Sequence, residues 1–331
     1  MAVSRILAAG VIATHLISVV SYVDRSKAFS DGLAFWTEDG VPGIQTEHWS
    51  TTDVGAHRNS VRITTKSLFE GELFIIDMAL MPWGCGVWPA FWTLGADGAW
   101  PETGEIDIIE GVQANTNNHS MPGCAINSST EDLYTGYMGN QDCDSSNAAV
   151  PSFPIGMPFN EAGGGVFAML WDNDGIRMWN WARAQIPSDI NNNTPSPSTW
   201  DLPVATWDAS ICDLSSFFKA QILTLNIDIC GDWIDNTWDQ FFYCPGTCPE
   251  YVSNPSNLNN TVMLLNYVKV YQQAGAVVTT RQAESNSNLT GAGGPVGRTS
   301  GANSNVGWMG VGAGWLGAML GLGFMVARLS I

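Results

Sequence analysis

Apolar residues in this 331-residue chain fall in short runs or alternate with polar ones, and clusters of Gly, Pro and Asn separate the runs. Side chains on an extended backbone point to opposite faces in turn, so alternation over short segments predicts strands. The pattern predicts strands over Ser60–Thr65, Leu73–Met81, Ala90–Leu94, Ile106–Glu110, Gly165–Trp171, Ile176–Trp181, Gln221–Ile229 and Val262–Tyr271. Helical periodicity is scarce. Many short strands with turn signals between them predict an all-β sandwich. Asp189–Pro203, which contains Asn191-Asn192-Asn193-Thr194-Pro195-Ser196-Pro197, has no strand pattern and is expected to be a long surface loop.

The texture changes at both ends. Residues 1–20 place Arg5 before the apolar stretch Ile6 to Ala13, as in a signal peptide; a misannotated N-terminal segment is the alternative. Residues 21–273 are continuous in texture and are expected to form one β-sandwich domain. Residues 274–306 are rich in Gly, Ser and Asn, bury too little apolar surface to fold, and are expected to be a linker. Residues 307–331 form a hydrophobic tail, uncharged from Trp308 to Val326. Its length suits a transmembrane anchor. Its place behind small residues (Gly291-Ala292-Gly293 or Ser300-Gly301-Ala302) and a polar spacer suits a glycosylphosphatidylinositol signal. A secreted, cell-surface protein held to membrane or wall by this tail is the expectation.

Composition narrows the partners. Only 13% of residues are charged, while there are 35 Gly and 15 Trp, a balance that favours a turn-rich β protein. A net charge of −18 repels phosphate and anionic headgroups, which excludes nucleic acid and leaves neutral ligands such as sugars. The seven cysteines form no CxxC pair and have no histidine close enough to complete a zinc site, so no metal site is expected. Sequons at Asn118, Asn127, Asn192, Asn259 and Asn288 fit an oxidising secretory route, in which disulfides persist. The odd count leaves at least one thiol unpaired or intermolecular.

The densest chemistry lies in Gly104-Glu105-Ile106-Asp107-Ile108-Ile109-Glu110-Gly111. On a regular strand Glu105 and Asp107 share a face and Glu110 points away from it. One extra residue, a β-bulge around Ile108-Ile109, would bring Glu110 to their side. Alternating acid and Ile ordinarily marks a half-exposed strand with a solvated acidic face. Here the surroundings are Met81-Pro82-Trp83-Gly84-Cys85-Gly86-Val87-Trp88-Pro89-Ala90-Phe91-Trp92, then Trp100, and later Asp228-Ile229-Cys230-Gly231-Asp232-Trp233. Indole faces beside carboxylates suit pyranose rings, whose C–H faces pack on aromatics while their hydroxyls seek acids and amides.

With these motifs, and with Trp171-Asp172-Asn173-Asp174-Gly175-Ile176, Trp179-Asn180-Trp181, Cys244-Pro245-Gly246-Thr247-Cys248 and Val268-Lys269-Val270-Tyr271 in series, the chain resembles glycoside hydrolase family 16. It is most similar to the fungal endo-1,3(4)-β-glucanases, or laminarinases. The resemblance implies a concanavalin-like jelly-roll sandwich of two antiparallel sheets with a concave sugar-binding cleft. It implies a monomer that acts on β-glucan without an organic cofactor, structural calcium remaining open. It implies Glu105 as nucleophile, Glu110 as acid/base and Asp107 as the assisting acid. Trp92, Trp100, His119 and Trp233 fall at cleft positions, and Arg58 matches a cleft donor. Cys124–Cys143 and Cys212–Cys230 are the bridges expected beside it. The family domain starts before the point matched by Ser21-Tyr22-Val23-Asp24, so the start is expected to be truncated or replaced by residues 1–20 serving as strand. Retaining endo-hydrolysis is the leading expectation; a wall transglycosylase and a non-catalytic glucan binder are the alternatives.

Overall fold

The structure, a computed structural model, describes residues 18–96, 98, 102–113, 119–122, 135, 155–210, 213–241, 243–273, 322–325 and 329–330. Residues 1–17, Trp100, the Cys124–Cys143 pair, Cys212, three sequons (Asn118, Asn127, Asn288), the linker 274–306 and most of the tail 307–331 lie outside the described residues.

The strands in chain order are β1 (Val20–Tyr22), β2 (Ala34–Trp36), β3 (Pro42–Ile44), β4 (Arg58–Ser60), β5 (Arg62–Phe69), β6 (Leu73–Leu80), β7 (Val87–Gly95) and β8 (Glu105–Glu110). There follow β9 (His119–Pro122), β10 (Gly165–Asp172), β11 (Gly175–Ala182), β12 (Ala205–Asp208), β13 (Gln221–Ile229), β14 (Met263–Gln273), β15 (Leu322–Met325) and β16 (Leu329–Ser330). Seven of the eight strands expected from the alternation are present as single strands, while the expected Ser60–Thr65 is split at Val61 between β4 and β5; no described α-helix exceeds six residues. One sheet runs β12-β11-β10-β6-β14-β3-β2, with β15 paired to β14; the other runs β16-β5-β13-β7-β8-β9. Pairing within both is antiparallel, which gives the expected jelly-roll sandwich. Among the described residues no helix is long and apolar enough to cross a membrane.

The core is the space between the sheets. On β13, Leu223, Leu225, Ile227 and Ile229 are fully buried there, and β7 adds Val87 and Phe91. Each such side chain contributes about 1.5–3 kcal/mol by leaving water. By period two, Thr224, Asn226 and Asp228 of β13 and Trp88, Ala90, Trp92 and Leu94 of β7 then lie on the opposite face of the six-stranded sheet. That face carries the acids of β8.

Residues 188–203 depart from the expected surface loop. The segment has no strand, yet Ile190 is 1% exposed and the Trp200 ring meets Trp179 and Trp181 edge-on at 5.1 and 4.9 Å. Two short helical turns, Ser188–Asn191 and Pro197–Thr199, lay it over the outer face of the eight-stranded sheet. That face bears Leu73, Ile75, Val166 and Ala168 and needs a cover. The described sequons Asn192 and Asn259 are both exposed.

Residues 18–20, placed ahead of the domain by the sequence, are packed into it. Val19 and Val20 are buried, and the Val19 N–H donates to the Ile229 carbonyl at 3.0 Å. The Arg58 N–H donates to the Val19 carbonyl at 2.9 Å, and β1 runs parallel to β4. The Ser18 hydroxyl bonds the Asp228 carboxylate, so this segment reaches the functional face.

Candidate active site

The register of β7 against β8 pairs Ala90 with Glu110 and Phe91 with Ile109, then slips to pair Trp92 with Asp107 and Leu94 with Glu105. Ile108 is the residue left over, so the bulge falls where the mismatch of faces required it. Ile106, Ile108 and Ile109 all join the core, while Glu105, Asp107 and Glu110 share the outer face. Gly104 starts the strand at φ +84°; a Cβ there would lie 2.5 Å from Phe218 Cδ1 and 2.7 Å from the Phe217 carbonyl oxygen. Only glycine fits, and it brings Glu105 in beside Phe218.

The three acids differ in setting. Asp107 is 2% exposed, and its Oδ2 has no hydrogen-bond partner among the described residues. Burial, followed by the charges of Glu110 and Glu105, holds it well above the usual carboxylate range. Glu110 accepts a hydrogen bond at Oε1 from Trp88 Nε1 at 2.9 Å. Burial, then the charge of Glu105, pushes Glu110 up to about 8, against the opposing pull of the Trp88 N–H. A carboxyl in that state carries its proton at neutral pH and can give it away.

Polar groups line the same face on β13 and β5. Trp92 Nε1 donates to Asn226 Oδ1 at 2.7 Å, and Asn226 Nδ2 donates to the Tyr22 hydroxyl at 3.3 Å. The Arg62 guanidinium lies 4.3 Å from the Tyr22 ring centroid and 5.7 Å from that of Trp92. It also donates to the Tyr22 hydroxyl at 3.3 Å, while its Nε has no partner among the described residues. Asp228 stands across from Trp88 and accepts from the Ser18 hydroxyl and the Ile229 N–H. Burial raises its carboxyl in spite of these bonds.

The expected binding residues fare unequally. Trp92 lies opposite Asp107, and β9 sets His119 opposite Glu110 in register. Trp233, in the helix Asp232–Thr237, meets Trp88 edge-on at 5.4 Å. Trp100 lies outside the described residues. Arg58 is a correction: its side chain is 0% exposed and serves as a strut, ion-paired to Glu47. It also donates to the carbonyls of Val252, Ser50 and Ser253 at 2.6, 2.9 and 2.9 Å. Arg62, four residues on, is the cation that reaches the functional face, because the strand breaks at Val61 between β4 and β5. Trp88, Tyr22, Asn226 and Asp228 were likewise unassigned from sequence, although Trp88 and Asp228 stand within the motifs that drew attention to the region. Among the described residues, no cluster of three or more His, Cys, Asp or Glu could hold a metal ion.

The disulfides need a second correction. Cys230 pairs with Cys248, not with Cys212, and Cys85 pairs with Cys244. At φ 58° and bonded by its N–H to the Gly86 carbonyl, Cys230 turns the chain out of β13 toward Cys248, 5.8 Å away between Cα atoms. Both bridges therefore tie down residues 230–248, the segment that carries Trp233.

Comparison with known proteins agrees with this geometry. The model of the XgeA-like catalytic domain of glycoside hydrolase family 16 matches residues 14–271. The chain is 36% identical over 280 residues to the endo-1,3(4)-β-glucanase xgeA of Emericella nidulans, an alignment covering 77% of this chain and 43% of that protein. It is 35% identical over 292 residues to the endo-1,3(4)-β-glucanase of Arthroderma benhamiae, covering 82% of this chain and 62% of that protein. The chain thus spans less than two thirds of the length of these relatives. Among solved structures, an elongating family 16 β-1,3-glucosyltransferase is similar at a TM-score of 0.72 and 33% identity, covering 77% of this chain and 91% of that one. Laminarinase 16A of Phanerochaete chrysosporium, with 6-O-glucosyl-laminaritriose in its donor and acceptor sites, gives 0.72 at 31% identity and the same coverage. A family match over residues 14–271, on a sandwich that sets three acids on one face of a bulged strand, places this chain in glycoside hydrolase family 16.

Proposed function

We propose that the chain is an endo-acting, retaining β-glucanase for 1,3-linked or mixed 1,3/1,4-linked glucan. The observation that carries this is the bulge at Ile108, which brings Glu110 to the face of Glu105 and within a hydrogen bond of Trp88. Glu105 attacks the anomeric carbon as a carboxylate while Glu110 passes its proton to the leaving oxygen, giving a glycosyl-enzyme and a shortened glucan. Glu110, now ionised, takes a proton from water, and the water oxygen displaces Glu105 with net retention. Asp107, kept neutral by its surroundings, spares the face a third negative charge and can donate to its neighbour. Arg62, Asn226 and the indoles of Trp92 and Trp233 offer donors and apolar faces to sugar hydroxyls and rings.

A second reading uses the same carboxylates with a sugar hydroxyl in place of water, and the similarity to an elongating glucosyltransferase favours it. Digestion of laminarin and lichenan by the purified chain, with products sized, separates the readings. Shortened products alone support hydrolysis, and products longer than the input establish transfer. Sustained binding without either product would mark a non-catalytic binder and defeat both.

The state of Glu110 also fixes a pH limb. Its proton is needed for departure of the leaving group, so activity should fall as pH rises through about 8. A kcat/KM profile on laminarin checks this, and a plateau extending well past that value would contradict the acid role.

A further inference from the structure

We propose, resting on Glu110 as the acid of the reaction above, that Trp88 is a positioning residue that fixes the transferable proton on Glu110 Oε2. The indole Nε1–H donates to Oε1 at 2.9 Å. A neutral carboxylic acid accepts best at its carbonyl oxygen, so a donor on Oε1 makes that oxygen the carbonyl and leaves the hydrogen on Oε2. Indole nitrogen is a donor only, and the assignment cannot reverse by turning the partner round. When the proton leaves, the same N–H faces a carboxylate and becomes a charge-assisted bond, stronger than before. An interaction that strengthens as the proton departs lowers the barrier to departure, and one of constant strength does not.

The indole is held from several sides. Trp88 sits on β7 two residues from Ala90, the cross-strand partner of Glu110. The Trp233 ring packs edge-on at 5.4 Å and 83°. Gly231, at φ +115°, brings the backbone so close that a Cβ there would lie 3.3 Å from Trp88 Cζ3. The neighbouring Cys230–Cys248 bridge anchors that backbone. Trp88 thus cannot swing away from Oε1 without disturbing Gly231 or Trp233.

The charged and titratable groups around Glu110 are Glu105 and Asp107 on its own strand, His119 opposite it on β9, Asp228 across from Trp88 on β13, and Arg62 on β5. The substitution Trp88→Phe removes the indole N–H that bonds Oε1 and keeps an aromatic ring against Trp233.

The test compares kcat/KM on laminarin with kcat/KM on an aryl β-laminaribioside whose leaving group departs without a proton. Trp88→Phe should lose about tenfold to a hundredfold on laminarin, the worth of a hydrogen bond to a charged group, and less than about threefold on the aryl substrate, where no proton is needed. Its basic pH limb should move upward, because the lost N–H favoured the ionised carboxyl. Equal losses on both substrates, or an unmoved limb, would overturn the assignment and leave Trp88 a packing residue. Glu110→Ala, run on the same pair, keeps two failures apart. Full laminarin activity in Glu110→Ala refutes the acid itself, whereas its loss beside a Trp88→Phe that matches the parent refutes only the role of Trp88. If Trp88→Phe does not fold, the indole N–H signals of the ¹⁵N-tryptophan-labelled parent answer instead. One signal should titrate along the basic limb and cease to do so in Glu110→Gln; if none does, the assignment fails.

Discussion

Glu105→Ala should lose at least about 10⁴-fold of its laminarin hydrolysis, the scale reached when a covalent nucleophile is removed. Glu110→Ala should lose about 10²–10⁴-fold, the worth of general acid and base assistance. Loss alone does not distinguish the two roles, since any damage to the site reduces turnover. Added azide does, because each truncation opens space on a different face of the sugar. In Glu105→Ala the azide takes the nucleophile's place and yields an α-glycosyl azide. In Glu110→Ala the glycosyl-enzyme still forms from an activated substrate, azide attacks it from the other face, and the product is the β-anomer. Both experiments need folded protein, shown by a circular-dichroism spectrum matching the parent. If the two azide products are exchanged, the roles are exchanged; if neither variant loses activity, the bulged strand is not the catalytic one.

That strand was the most legible part of the molecule, and the reason is arithmetic. Glu105 and Glu110 are five positions apart, an odd number, which puts them on opposite faces unless one residue drops out of register. The same residues that form the site thus betray the bulge, and the register of β7 against β8 shifts at Ile108. Long strands such as β13 were legible because Leu223, Leu225, Ile227 and Ile229 repeat the period often enough to be recognised. The three-residue strands β1, β2, β3 and β4 were not, since three residues contain too little alternation to exceed chance. Disulfide pairing escaped for another reason. Cys230 lies 18 residues from both Cys212 and Cys248, and spacing cannot choose between them. The backbone turn at Cys230, with its positive φ, makes the choice, and it is not written in the local composition. Asp189–Pro203 was misjudged because its polar residues hide the two side chains that matter, Ile190 and Trp200.

Arg58 and Arg62 show how a shared face in sequence can become two different places in the fold. Four residues apart, they would point the same way along a regular strand, yet the break at Val61 sends Arg58 into the protein and Arg62 onto the functional face. Their substitutions should therefore separate stability from binding. Arg58→Met leaves Glu47 buried with its charge unpaired and abandons four backbone carbonyls, those of Glu47, Ser50, Val252 and Ser253. Breaking a buried ion pair from one side costs about 3–5 kcal/mol. In a domain of this size 1 kcal/mol is worth about 2–4 °C, so Tm should fall by about 6–20 °C. KM at a temperature where the variant remains folded should match the parent. Arg62→Met should do the reverse. Its guanidinium has no acidic partner within ion-pair distance among the described residues and rests on Tyr22 beside Trp92, so Tm should move little while KM for laminarin rises. Thermal scans and laminarin kinetics on the two variants decide the matter. A raised KM in Arg58→Met with an unchanged Tm would return Arg58 to the cleft and refute the strut.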